Sequence, residues 1–256
     1  LYGEAKTLFL PYYAERMNIA LIGYGKMGKI IEEIAIQRGH VITGKSTSLH
    51  PVDEIDFDEV DVAIEFTAPQ MAVQHIKYCI DKQTPVVVGT TAWDEELPYV
   101  KDYVSQKNGS LLYASNFSVG VNIFFEINRR LAALMDGQHD YTPAIIETHH
   151  KQKLDAPSGT AISLANDIMF ENENYSSWIH NENTPPLSKA GQIGVTSHRE
   201  EGVPGTHIIE YNSTIDSIEL KHTAHNRRGF ALGAVIAAEW LSDKKGIYTM
   251  RDVIKL

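Results

Sequence analysis

The chain has 256 residues, 43% hydrophobic and 22% charged, a globular composition that excludes disorder as its dominant state. Its net charge of −10, from 23 basic and 33 acidic residues, makes it a poor general partner for nucleic acid or an anionic membrane surface. No apolar run approaches the ~20 residues of a membrane span, and the single cysteine, Cys79, can form no internal disulfide. Cys79 reads as a small buried hydrophobe, and a reducing cytoplasm is the compartment this usage suggests.

Residues 1–16 carry no clear pattern. Leu8 to Ala14 is mildly apolar but is interrupted by Pro11, a weak signal peptide at best. We read residues 1–16 as an extension of unknown role, with Met17 opening the folded part. A first strand is expected at Asn18 to Ile22, then a helix from Lys26 to Arg38. Further apolar runs follow at His40 to Thr43, Val60 to Phe66, Pro85 to Val88 and Ser110 to Ala114. Helical patterns separate them at Gln70 to Asp81 and Glu95 to Gln106. Short β-branched runs alternating with helices indicate βαβ units, and continuous apolar strands indicate a parallel sheet buried on both faces.

The pattern changes near Asn116 to Gly120. Val119 to Met135 is one long helix pattern with Phe124, Ile127, Leu131 and Leu134 on a single stripe. A strand is expected at Ala144 to Thr148 and a helix from Ser158 to about Phe170. Residues 171–190 are polar, contain Pro185-Pro186 and read as a loop. Strand-like runs at Ile193 to His198, Thr206 to Tyr211 and Ser217 to His222 come without intervening helices, which suggests an α+β arrangement. Ala231 to Leu241 is a strongly apolar helix. The fold class is therefore α/β, a doubly wound parallel sheet followed by a second, α+β unit.

Three features carry chemistry. Gly23-Tyr24-Gly25-Lys26-Met27-Gly28 follows the first strand and opens a helix. Gly23 permits the turn, Gly25 lets backbone approach a pyrophosphate and Gly28 allows close helix–strand packing, with the helix amino end offering N–H groups to phosphate. The bland alternative is a packing turn without ligand. After the second strand, no acid stands where a bare ribose would need one, and Lys45 with its neighbouring hydroxyls suits a 2′-phosphate, unless it is simply solvated. Phe66, Gly89, Thr90 and Thr91 lie just past strand ends, where such sheets bind ligands.

The third feature is the densest. Glu147-Thr-His149-His150-Lys-Gln-Lys153-Leu-Asp155-Ala-Pro157-Ser158-Gly159-Thr160-Ala161 places two histidines and two lysines at a strand end in an acidic chain. Pro157 and Ser158 then prepare a helix, whose amino end beside a basic cluster suits a carboxylate or phosphate. A histidine there can supply the proton that accompanies hydride transfer. A zinc site is disfavoured because His149 and His150 are adjacent and no HExxH spacing exists. Asp155 reads as a partner for a local lysine, and a solvated basic loop remains the alternative for the cluster.

This long signature resembles that of the 4-hydroxy-tetrahydrodipicolinate reductase (dihydrodipicolinate reductase) family. Further resemblance comes from Ser115-Asn116-Phe117-Ser118-Val119-Gly120-Val121-Asn122, Ser197-His198-Arg199, Val203-Pro204-Gly205-x-His207, His222-x-Ala224-x-x-Arg227 and Met250-Arg251-Asp252-Val253. The resemblance implies reduction of a cyclic dicarboxylate in the diaminopimelate route to lysine, with NADPH or NADH. It implies His149 as proton donor, Lys153 as second acid, and His150, Ser158, Gly159 and Thr160 as substrate contacts. It implies Gly23, Gly25, Lys26, Met27, Gly28, Lys45, Phe66, Gly89, Thr90, Thr91, Ser115, Asn116 and Phe117 around the cofactor, and no metal. It implies a Rossmann-like domain, 17–119 plus 228–256, carrying an inserted α+β substrate and oligomerisation domain, 120–227, which forms a homotetramer through its sheets. The glycine loop is one residue shorter than in many members, Lys26 replaces the usual arginine and Glu65 the common Asp. These departures bear on the choice between NADH and NADPH. The competing readings are another two-domain NAD(P)-dependent dehydrogenase of an anionic substrate, and a dinucleotide-binding sensor without chemistry.

Overall fold

The computed structural model describes residues 15–255. Most of the extension expected at 1–16 therefore lies outside the described residues, as does Leu256. The chain divides into two compact units: residues up to Phe117 together with Phe230–Lys255, and Ser118–Gly229.

The first unit is built on a six-stranded parallel sheet in the order β11-β5-β4-β3-β1-β2. Its strands are β1 (Asn18–Ile22), β2 (Val41–Ser46), β3 (Val62–Glu65), β4 (Val86–Val88), β5 (Ser110–Tyr113) and β11 (Gly246–Tyr248). Its helices are α1 (Lys26–Gln37), α2 (Pro69–Asp81), α3 (Leu97–Gln106), α6 (Arg228–Leu241), which begins two residues before the unit boundary, and α7 (Met250–Val253). Strands β3 and β4 are buried at every residue, as strands sandwiched between helix layers require. Strand order reverses at β1, which pairs with β2 on one side and β3 on the other. That reversal opens a crevice past the carboxyl ends of β1 and β3. Cys79, on α2, is fully buried in the core with Ile76, Ile80 and Val100. Burial, and then the charge of Glu65, push its thiol pKa far up.

The second unit packs α4 (Val119–Met135) and α5 (Gly159–Glu171) against a mixed sheet ordered β10-β9-β6-β8-β7. Its strands are β6 (Thr142–His149), β7 (Ser177–Glu182), β8 (Gln192–Arg199), β9 (Gly205–Asn212) and β10 (Ser217–Ala224). Strand β6 alternates strictly, with Ile145, Glu147 and His149 on its buried face. Ser118 caps α4 and Ser158 caps α5, each accepting the N–H three residues on, from Val121 and Ala161.

Three expectations need correction. Residues 171–190 contain β7; its half-exposed sequence Ser-Trp-Ile-His-Asn-Glu is that of an edge strand, without the apolar run that marks a central one. Strand β11 and helix α7 lie beyond the last expected helix and were missed for their brevity. The buried stripe of α4 is Val121, Phe124, Asn128, Ala132 and Met135, whereas Ile127 and Leu134 are 43% and 75% exposed. This helix is apolar on more than one face, so periodicity alone misplaces the core side. The Asn128 amide nitrogen donates to Leu164 O at 3.1 Å, while its buried Oδ1 has no hydrogen-bond partner among the described residues.

Candidate functional site

Apart from Lys45, which lies within β2, the expected cofactor residues follow the carboxyl ends of parallel strands. Past β1, Gly23 has φ +97°, and a Cβ there would collide with Phe66 O. A Cβ on Gly28 would collide with Gly23 O, so helix and turn interlock only through glycine. At Gly25 nothing lies within 4 Å of an added Cβ. Gly25 is also the N-cap of α1, without a side-chain cap, so the helix amino end stays open. This is the cradle a pyrophosphate needs: open space over a glycine, at the positive end of a helix. The loop is tied to β2 by Gly23 N–H to Ser46 Oγ at 3.2 Å and Tyr24 N–H to Ser46 O at 3.0 Å. Lys26 is exposed and Met27 half-buried.

Lys45 is not simply solvated. Its Nζ lies 2.5 Å from Glu32 Oε1 of α1 and 4.4 Å from the Tyr24 ring centroid, and the Tyr24 hydroxyl donates to Glu32. Hydrogen bonds from Lys45 and Tyr24 hold the Glu32 carboxyl below its usual range. Glu32 is the acidic neighbour that a linear search after β2 did not find, because it comes from the helix before.

Past β3 and β4, Phe66 packs on Phe117 with ring centroids 5.8 Å apart. Thr90 is buried; its Oγ1 accepts from Thr67 N–H at 2.7 Å and its carbonyl accepts Trp93 Nε1–H. Gly89 leaves room for the Phe66 ring, which an added Cβ would strike. Thr91 and Ser115 are exposed and Asn116 half-buried. Glu65, fully buried at the end of β3, accepts from Thr67 Oγ1 and lies 3.3 Å from His75 Nδ1.

In the second unit, sheet register assembles a polar cluster. Period two puts Glu147 and His149 on one face of β6. Glu147 is paired with Ser197 of β8 and His207 of β9, and His149 with Arg199 of β8. Glu147 Oε2 accepts from His149 Nδ1, while Oε1 takes both terminal nitrogens of Arg199 at 3.0 Å and Ser158 N–H at 3.3 Å. Burial raises the Glu147 pKa, but hydrogen bonds from His149, Ser197 and Arg199 outweigh it and bring it down to about 2. Glu147 is therefore an ionised carboxylate with no exposed surface. The His207 ring meets that of His149 edge to face at 5.0 Å, and its Nε2 lies 3.0 Å from Ser158 Oγ. Burial first, then the neighbouring His149, lowers the His207 pKa to about 3.

Lys153 donates to both Asp155 oxygens at 2.8 Å, so Asp155 is the local lysine partner expected of it. His150 is half-buried, and its Nδ1 has no hydrogen-bond partner among the described residues. Ser158 is turned inward, capping Ala161 N–H and meeting His207. The first-turn N–H groups of Gly159 and Thr160 have no acceptor within their own helix. Among the described residues, Glu147, His149 and His207 also form a group whose donor atoms lie within 4.8 Å of one another. Each of the three already has an internal hydrogen-bond partner. Sequence reasoning missed the roles of Glu147, Arg199 and His207. They stood in the quoted motifs, but only strand register brings them together.

These shifts set an acid limit. His207 is held neutral from its usual 6.5 down to about 3, so below pH 6.5 the unfolded chain binds a proton that the folded one refuses. Stability then falls with pH, by ~1.4 kcal/mol per unit. Glu147 adds a second loss as pH drops from 4.5 towards about 2. Urea unfolding at about pH 7 and about pH 5 should show a loss of roughly 2 kcal/mol traceable to His207. His207→Gln should remove that increment; an unchanged pH dependence would show that His207 is not its source.

Two models of one family match the chain: dihydrodipicolinate reductase, N-terminus, over residues 46–117, and dihydrodipicolinate reductase, C-terminus, over residues 120–254. The chain is 48% identical over 239 residues to a 4-hydroxy-tetrahydrodipicolinate reductase of Christiangramia forsetii, covering 93% of this chain and 98% of that one. It is 31% identical over 271 residues to the reductase of the same name from Buchnera aphidicola, covering 94% and 99%. Among solved structures, a dipicolinate-bound dihydrodipicolinate reductase from Paenisporosarcina superposes with a TM-score of 0.70 over 93% of this chain and 99% of that one, at 22% identity, a likeness of fold. With a Rossmann-type sheet, an open glycine cradle and matches across both units, the chain belongs to the dihydrodipicolinate reductase family.

Proposed function

We propose that the protein reduces 4-hydroxy-tetrahydrodipicolinate to tetrahydrodipicolinate with NAD(P)H, in the diaminopimelate route to lysine. The observation that carries this reading is the His149–Glu147–Arg199 cluster beside the amino end of α5, within a chain of that family. The nicotinamide, when bound, supplies a hydride. In the net reaction the substrate gains that hydride and a proton, and its hydroxyl leaves as water. The glycine loop and Lys45 serve the dinucleotide, with Phe66, Gly89, Thr90, Thr91, Ser115, Asn116 and Phe117 around it. His149 donates the proton and Lys153 is the second acid. His150, Ser158, Gly159 and Thr160 hold the substrate carboxylates, Ser158 by shaping the helix amino end. The orphaned His150 Nδ1 and the first-turn N–H groups are what two carboxylates would use.

The sensor reading lacks support of this kind, since a sensor needs no buried imidazole paired to a carboxylate. Among the described residues no helix is long and apolar enough to cross a membrane. We place the enzyme in the cytoplasm, where its single cysteine stays reduced.

We also propose a homotetramer formed through the sheets of the second unit. The face of β6 opposite Glu147 carries Ala144, Ile146 and Thr148, and Ile208 of β9 pairs with Ile146, so apolar side chains stand on the side away from the core. Light scattering should give four times the 28.6 kDa chain mass; a monomer would exclude this assembly.

The deciding assay follows absorbance at 340 nm, with the substrate supplied by condensing pyruvate and aspartate semialdehyde. His149→Ala should lower kcat by roughly 10²–10⁴ with little change in NADPH affinity; near-normal turnover would remove His149 from the proton step. Lys45→Ala should weaken NADPH binding more than NADH binding in calorimetry, and an equal effect on both would take Lys45 away from the 2′-phosphate.

A further inference from the structure

We infer that Glu147, clamped by Arg199, is a positioning residue that fixes the tautomer of His149 and so makes Nε2 the atom that delivers the proton. The inference rests on the reading of His149 as donor and adds what makes it competent.

With no exposed surface and an Arg199 guanidinium on Oε1, the Glu147 carboxyl is ionised and can only accept hydrogen bonds. Its Oε2 meets His149 Nδ1. A carboxylate facing a ring nitrogen requires that nitrogen to carry the hydrogen, in both the charged and the neutral imidazole. The proton that His149 can release is then the one on Nε2. When it leaves, the N–H at Nδ1 stays on Glu147, and the ring ends as the Nδ1–H tautomer ready to be recharged from solvent.

The surroundings support that assignment. A Cβ on Gly205 would lie 3.0 Å from His149 Nε2, so a side chain there would crowd the delivering atom. The His207 ring stands edge to face against His149 and is held neutral, so it adds no fixed positive charge beside the donor. Ser158 N–H binds Glu147 Oε1, which ties the start of α5 to the same carboxylate. Glu147 thus connects the proton donor to the helix end that offers N–H groups to the substrate. Rotation of the imidazole would break the bond from Nδ1 to the buried Oε2.

A carboxamide at this position can donate to Nδ1 and stabilise the opposite tautomer. Glu147→Gln should therefore lower kcat at least tenfold while leaving the KM for NADPH within about twofold, and Glu147→Asp should recover part of the loss. The double variant Glu147→Gln/His149→Ala should be no slower than His149→Ala alone, because the two residues act as one unit. Nitrogen-15 NMR of histidine-labelled full-length protein, at alkaline pH, should show neutral His149 as the Nδ1–H tautomer in the wild type and as Nε2–H in Glu147→Gln. A wild-type Nε2–H tautomer overturns the inference, and this measurement holds even if Glu147→Gln fails to fold. Full turnover by a folded Glu147→Gln, with His149→Ala impaired, overturns the positioning role alone. Full turnover by His149→Ala overturns the donor reading and the inference with it.

Discussion

A single buried carboxylate organises the second unit. Glu147 is withdrawn from water, which by itself disfavours its charge, yet it stays ionised because three elements present hydrogen-bond donors to it. Removing one partner from such a group leaves the charge uncompensated, so the donors depend on one another. The strand register that pairs Glu147 with Ser197 and His207 is therefore a chemical constraint as much as a topological one. A register slip of one residue would turn Glu147 and His149 to the opposite face together.

The first unit solves a different problem, keeping a binding surface free of side chains. Glycines 23 and 28 let turn and helix interlock, and Gly25 leaves the helix amino end uncovered. Lys45 is held by Glu32 and Tyr24.

Much of this was legible in the sequence, for reasons particular residues make clear. The strands of the first unit are short continuous apolar runs between helices, and Gly23 to Gly28 follows the first of them, so fold class and cradle could be read locally. Ser158 announced the start of α5. Strand β7 escaped because an edge strand with one side in solvent has no apolar run to show. The stripe on α4 was misplaced because the helix carries apolar residues on both buried and exposed sides. The partners of Glu147 and Lys45 were illegible for a deeper reason. They are set by pairing between strands, or between a strand and a preceding helix, and linear spacing does not encode such neighbours.

The burial of Cys79 has a practical consequence. It is the only thiol in the chain, and no part of it reaches solvent in the native core of the first unit. An alkylating reagent can modify it only when α2 separates from the sheet. The rate of that modification is a clock for the opening of the dinucleotide-binding unit, readable without a label or a substitution. Because a bound dinucleotide stabilises the closed unit, slowing of the clock reports occupancy of the glycine cradle.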